Sequence, residues 1–285
     1  MLQSSDVANL LILALLTYSM ALSLRAGLFS IAPAGFAGLG AYAFGLLTVH
    51  RSWGIAPALL AAVAVCLIVG AVLAWPLGRI RGVYTSIATL ALVVVLTGLE
   101  DSLSITGGSL GLAGIPLGDV RVTGTVALVL VMAGFIYLDH SFLGRRLALA
   151  GQDPVLARTL GIRVALLRVC TLIISAGIAG FAGGLYAYEF NYIDPTLFTF
   201  AFAITIAANA VLGGHQHWAG PAIGALILGL LGIYLNSIPG WSTVISGLTL
   251  ALIMIFQPSG AGGLLRRATR YRWARPARAR ERKPA

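Results

Sequence analysis

The chain of 285 residues holds few side chains able to do covalent chemistry. Its one lysine, Lys283, is followed by Pro284. A phosphate-binding P-loop needs lysine followed by serine or threonine after a glycine-rich turn, so this chain builds none. It contains no HExxH string and no paired-cysteine motif. His215 and His217 stand two apart, which on a helix points them to different faces, and a solvated loop is the better reading than a metal pair. Cys66 and Cys170 both sit in apolar runs, where a free cysteine behaves as a small buried hydrophobe. No catalytic residue, metal ligand or cofactor is expected. The chain is read as a non-enzyme without an ATPase site of its own.

What would position any functional group is a set of apolar helices. Hydrophobic residues make up 59% of the chain and charged ones 10%, against roughly 25% charged in a soluble domain. That is too little charge for a polar coat, whereas in lipid the surface can be apolar provided every backbone amide is paired internally. The runs do not alternate as barrel strands would. A membrane helix needs about 20 apolar residues. Candidates are 7–24, 29–49, 55–77, 83–99, 123–138, 166–188, 198–212, 218–235 and 241–256. The fold class is therefore all-α: a polytopic transmembrane bundle of about eight to nine spans. The count depends on 29–49, which is glycine-rich, contains Pro33 and could be re-entrant. The early start carries Asp6 and no basic stretch, so 7–24 is expected to be a retained span.

Charge orients the spans. Arg145, Arg146, Arg158, Arg163 and Arg168 cluster in one interruption, and nine basic residues lie between Arg266 and Lys283. The positive-inside rule puts both in the cytoplasm. Counting back, Arg79, Arg81 and Arg25 also fall inside. Glu100, Asp101, Asp119, Glu189 and Asp194 fall outside. Nine full spans put the N-terminus outside; a re-entrant second segment puts it inside. Charged residues are expected at span ends or in loops, and the lack of acids at span centres argues against proton-coupled transport. Asn209 is the main strongly polar residue in a late span, either bonding a neighbouring helix or lining a polar path. The pairs Gly180/Gly184 and Gly220/Gly224 are expected at close helix contacts. The string AGFAG occurs at 34–38 and again at 179–183, either an old parallel repeat or coincidence in a chain rich in Ala and Gly.

The longest interruption, 139–165, breaks the membrane pattern. Asp153-Pro154 is a helix-start signal, an acidic N-cap with proline at the first position. Gly161 stands where a helix stop is expected. One short capped helix of about two turns follows, either a connector or a docking helix for a cytoplasmic partner. The tail 259–285 is expected to lie on anionic cytoplasmic lipid. Nucleic acid is not expected as a partner, because no binding fold accompanies the charge.

This interruption resembles the coupling loop of permease subunits of ATP-binding-cassette importers, in particular the branched-chain amino acid permease family. Gly144, Arg145, Gln152, Asp153, Ala157, Leu160, Gly161 and Ile162 stand at the positions of its pattern. Residues 81–91 resemble that family's RGxYFAIxTLA segment. Thr106-Gly107-Gly108 through Pro116 is similar to its TGGxxGLxGIP, and 175–186 to its SAxxAGxAGxLYA helix. Leu212-Gly213-Gly214 with Trp218, Gly220, Pro221 and Gly224 resembles its VLGGxGxxxGPxxGA stretch, and 35–42 its FxGIGAY. The resemblance spans roughly 20–256.

The resemblance implies a transmembrane permease domain over 1–258 in a bacterial-type inner membrane, with a cytoplasmic C-terminus. It implies as partners separate ABC ATPase subunits, a homologous permease subunit and an extracytoplasmic substrate-binding protein. The cargo would be a small polar solute of the branched-chain amino acid type. ATP would drive the chain through Gly144, Arg145, Gln152, Asp153, Ala157, Leu160 and Gly161, and the binding protein would meet 106–116 and 189–195. Small, hydroxyl and aromatic residues suited to a zwitterion's path are Tyr42, Tyr84, Thr85, Thr89, Thr106 and Asn209. Three departures put the substrate in question, the first being that Pro33 or Ala34 stands at the histidine position of the family's SLGHA segment. The family has polar and charged residues in its fourth span where 92–99 is nearly all aliphatic, and His215 and His217 replace small or apolar residues. The alternatives are a self-sufficient secondary transporter or channel, or a permease for urea or other amides.

Overall fold

The computed structural model describes residues 4–80 and 82–235. The expected ninth span, the basic tail and Arg81 lie outside the described residues. Ten α-helices occur among those described: α1 (Ser4–Arg25), α2 (Pro33–Arg51), α3 (Ile55–Leu77), α4 (Val83–Ser102), α5 (Val120–His140), α6 (Phe142–Gln152), α7 (Pro154–Thr159), α8 (Val164–Phe190), α9 (Phe200–Gly213) and α10 (Gly220–Leu235). The chain is an all-α polytopic bundle in which five helices, α1, α3, α4, α5 and α8, are long and apolar enough to cross a membrane. Short 3-10 turns and a ribbon of two two-residue strands, β1 (Leu112–Ala113) and β2 (Tyr192–Ile193), close one end.

The second segment is one continuous helix. α2 starts with Pro33 at its first turn and continues for 19 residues to a left-handed cap at Ser52. At 1.5 Å per residue it rises about 28 Å, close to a bilayer's hydrocarbon thickness. Near its start, Ile31 N donates to Thr89 Oγ1 and Phe29 O accepts from Ser86 Oγ. Near its far end, Gly45 packs on Leu112, Ile115 and Ile193. It therefore runs from one end of the bundle to the other.

Helix α8 is the axis on which α1, α2 and α3 pack. Small residues allow this. Gly40 of α2 lies against the backbone of Gly180, and Gly183 lies against the backbone of Ala37. A Cβ at either glycine would overlap main chain, which cannot step aside. The two AGFAG strings thus meet where α2 and α8 cross. Gly180 also packs on Cys66, and Gly184 on Leu59 and Phe44. Gly220 and Gly224 seat α10 against the end of α9 in the same way. Both expected glycine pairs sit at helix contacts, as close-packed membrane helices require. Between α1 and α8, Ser19 and Ser175 each donate to the other's carbonyl, at 2.8 and 2.9 Å.

Residues grouped on one side by charge do gather at one end. Arg25 meets Asp139, Gly27 meets Gly151, and Gly78 meets Ala165 and Val169. At the other end, 112–113 pairs antiparallel with 192–193. Large apolar side chains, among them Leu60, Ile68, Val72, Val94, Val126 and Leu130, cover the outward faces of α3, α4 and α5. Cys66 is buried as expected, whereas Cys170 is exposed on α8.

Candidate functional site

The basic end is built by capping. Ser141 Oγ accepts from Gly144 N at 3.1 Å and starts α6. Asp153 Oδ1 accepts from Val155 N and Leu156 N, both at 3.0 Å, and starts α7 with Pro154 in its first turn. Ile162 N donates to Ala157 O and Gly161 N to Arg158 O, which closes α7. Gly161 has φ +76°, and a Cβ placed on it would meet only open space, so glycine is needed there for its backbone conformation, not for room. The loop 139–165 thus holds two helices, where one was expected. The first, α6, places Leu147 and Ala150 inward, while Arg145 and Arg146 stay exposed beside the ring of Phe142.

Helix α7 has one anchored side and one free side. Ala157 is fully buried with Ala150 and Val164, against Leu149, Ile162 and Leu167. Val155, Leu156 and Leu160 point outward, 69%, 47% and 64% exposed. Gly144 packs on the Leu138 backbone, and Gly151 on Gly27 and Arg25 backbone, so α6 is seated on both the end of α5 and the α1–α2 connector. The expected coupling residues therefore form one unit. Within it, Ala157, Gly144 and Gly161 shape the backbone, Asp153 caps, and Leu160 faces out.

Beside this unit lies a cleft of about 560 Å³ lined by Arg25, Asp139, Gly144, Arg145, Gln152 and His215, among others. Arg25 Nη1 donates to Asp139 Oδ1 at 2.6 Å and Arg25 Nε to His215 O at 2.6 Å; Asp139 Oδ2 accepts from Trp218 N at 2.9 Å. Arg25 also stacks on Phe135, 4.5 Å from the ring centre. One ion pair thereby ties α1, α5 and the α9–α10 turn together. His215 and His217 line this cleft instead of standing in solvent. Burial, aided by the Arg25 charge, holds the His215 imidazole below its usual value and so favours its neutral form. Among the described residues no group of three or more His, Cys, Asp or Glu is placed to hold a metal.

The opposite end is closed by the two loops expected there. Leu112 pairs with Ile193 and Ala113 with Tyr192. Asn191 Nδ2 donates to Ile115 O at 2.5 Å, and Tyr192 Oη to Leu110 O at 2.9 Å. Thr106 Oγ1 donates to the Glu100 carbonyl at 2.6 Å. Beneath this cover, α4 presents one buried face made of Thr85, Thr89, Leu92, Val93, Leu96 and Glu100.

The expected path residues divide on that face. Thr85 and Thr89 are fully buried, and their hydroxyls donate to carbonyls of Ile80 and Thr85. Tyr84 points the other way, 75% exposed, so it does not join them. Tyr42 and Asn209 are buried, and neither the Tyr42 hydroxyl nor either Asn209 amide atom has a hydrogen-bond partner. The residue that sequence reasoning misses is Glu100. Charge places it in an outer loop, yet it lies inside α4, 4% exposed, with both carboxylate oxygens unpartnered. The carboxylate sits over Gly38, where a Cβ would be 2.7 and 2.8 Å from its oxygens. Its steps of three and four residues from Leu96 through Leu92 to the threonines are the available signal.

The family model described as branched-chain amino acid transport system / permease component matches residues 7–256. The chain belongs to this family. It is 28% identical to the high-affinity branched-chain amino acid transport system permease protein LivM of Escherichia coli (strain K12), over 82% of this chain and 63% of that protein. Identity to the LivM protein of Salmonella typhimurium is 29% over the same shares. The probable branched-chain amino acid transport permease protein LivH of Methanocaldococcus jannaschii is 30% identical over 48% of this chain and 44% of its own length. The chain thus spans less than two thirds of the LivM relatives, 63% of each. No solved structure matches it. The stretch matched by the permease family runs through α1 to α10, so both ends of the bundle belong to the family's framework.

Proposed function

We propose that the chain is a membrane permease subunit of an ATP-binding-cassette importer for branched-chain amino acids, driven by separate ATPase subunits that dock on α6–α7. The carrying observation is the two-sidedness of α7: Ala157 is locked to the bundle while Val155, Leu156 and Leu160 stand free. Exposed apolar side chains on a short capped helix suit insertion into a groove of a partner. A push there has a mechanical route. Ile162 and Val164 join α7 to the start of α8, and Gly151 joins α6 to Gly27. Since α1, α2 and α3 pack on α8, a shift of α7 reaches the centre of the bundle through packed contacts.

In this reading α1–α5, α8, α9 and α10 are eight spans, and the expected ninth, 241–256, lies outside the described residues. The α6–α7 end and the basic tail are cytoplasmic, and the ribbon end faces the binding protein. A homologous permease covers part of the apolar outer face, and the 1–258 domain lies in the inner membrane. Gly144, Arg145, Gln152, Asp153, Ala157, Leu160 and Gly161 serve coupling.

The tagged chain, extracted in mild detergent from membranes that hold the candidate ATPases, is expected to bring one or two of them along. In the assembled importer, Arg145→Ala with Asp153→Ala removes an N-cap worth about 1 kcal/mol. Its expected effect is a roughly tenfold fall in ATP-driven leucine uptake, with the melting temperature lowered by only about 2–4 °C. A chain that purifies alone from such membranes, or full coupled uptake by the double variant, would sink this reading.

A further inference from the structure

Glu100 is a buried acidic group for which the described residues offer no compensation. Its two carboxylate oxygens are buried without a hydrogen bond, and it belongs to neither ion pair found among the described residues. Removing a carboxylate from water is costly unless a cation or several donors replace the lost solvent. The hydroxyl of Tyr42 is in the same condition. Gly38, over which the carboxylate lies, and Tyr42 are one turn apart on one face of α2. The pair sits under the cover formed by the 3-10 turns and Thr106, at the end away from α6–α7.

We propose that Glu100 and the Tyr42 hydroxyl form a site for the ammonium group of the transported solute. Glu100 contributes two unpartnered oxygens and Tyr42 one, and a primary ammonium carries three N–H donors and no acceptor. A hard metal ion fits poorly, since it needs six or more oxygen ligands or several retained waters. Gly38 supplies the space, because any side chain there would displace the carboxylate. This inference rests on the importer reading and narrows its cargo to amine-bearing solutes. A neutral amide such as urea has no group that would neutralise Glu100.

The test is ATP-driven uptake in proteoliposomes holding the complete importer, run with leucine, arginine and urea as probes. Wild-type uptake of leucine is expected. Glu100→Gln, nearly isosteric, is expected to cut it at least tenfold while binding-protein-stimulated ATP hydrolysis stays within twofold. Glu100→Asp should recover part of the loss, and Gly38→Ala should behave like Glu100→Gln. Uptake by Glu100→Gln within twofold of wild type overturns the proposal. So does a parallel loss of uptake and stimulated hydrolysis, which marks a structural role. If wild type carries arginine but not leucine, the branched-chain reading fails, and the same Glu100→Gln comparison on arginine decides the ammonium site. Uptake of urea alone, or of none of the three, overturns both.

Discussion

Among the described residues, an arginine–carboxylate pair stands at each end of the bundle, and the two pairs have nearly the same length but differ in burial and reach. At the basic end Arg25 and Asp139 meet at 2.6 Å with side chains 9% and 21% exposed. They lie 114 residues apart in sequence, and the same two groups also bind His215 O and Trp218 N. At the ribbon end Asp119 and Arg121 meet at 2.7 Å, each 51% exposed, two residues apart. The first pair joins three parts of the fold in a poorly solvated place. The second shapes the first turn of one helix in water. Ion-pair length therefore says little about worth; burial and the number of elements joined decide it. The basic end is stitched by long-range polar contacts between charged side chains and backbone. The ribbon end is held by local caps, backbone pairing and neutral side-chain bonds from Asn191 and Tyr192, and leaves Glu100 and Tyr42 without partners beneath it.

Both ends depend on the crossing of α2 and α8, so the largest effect is expected from filling it. Gly183→Leu forces side-chain atoms into the Ala37 backbone. Overpacking ordinarily costs roughly 1–3 kcal/mol, and a clash with main chain belongs at or above the top of that range. The expected outcome is failure to purify as a monodisperse species in detergent. A variant that melts within a few degrees of wild type would show that the two ends are not organised by this crossing.

Next in size is Asp139→Asn. It leaves the Arg25 guanidinium poorly solvated without a counter-charge, while the amide still fills the space. A hydrogen bond to a charged group is worth about 1.5–3 kcal/mol, so a drop of several degrees in melting temperature is expected, measured by fluorescence in detergent. An unchanged melting temperature would reduce this pair to the rank of the exposed one.

Much of this architecture is legible from the residues. Apolar runs place the helices, because hydropathy in a membrane protein reports directly on which segments can lose water. Asp153-Pro154 and Gly161 locate α7, because caps are local chemistry. Arg25, Arg79 and the 145–168 cluster go to one end by charge alone. Helix α6 escapes because FLGRRLALAGQ is short and charged on one side; its inward residues Leu147 and Ala150 are too few to raise hydropathy. The pairing of β1 with β2 joins segments about eighty residues apart and leaves no local trace. Charge misplaces Glu100 because α4 continues past its aliphatic stretch to Ser102. Charge suggests a loop, while three- and four-residue spacing from Thr85, Thr89, Leu92 and Leu96 suggests the buried face, and spacing is the better guide. Tyr84 is the converse case. Its ring chemistry suits a path, but it is next to Thr85 in sequence, and adjacent helix positions point in different directions.

The smallest effect is expected from Asp119→Asn, and its smallness is what the comparison of ion pairs requires. Hydrogen bonds from the Arg121 side chain, then from its backbone N–H, hold the Asp119 carboxyl down at about 2. A carboxyl lowered on folding adds stability that is complete above its ordinary value, about 3.9, and is lost as pH falls from there through about 2. At neutral pH the contribution is therefore fully present, but solvent and salt screen it because both side chains are half exposed. The substituted amide oxygen can still accept from Arg121 N and keep the cap. Melting at pH 7 is expected to be unchanged within error. Between pH 4 and pH 2 the variant should lose slightly less stability than wild type, since it lacks the titrating group. A fall at pH 7 as large as that of Asp139→Asn would show that burial does not rank these two pairs.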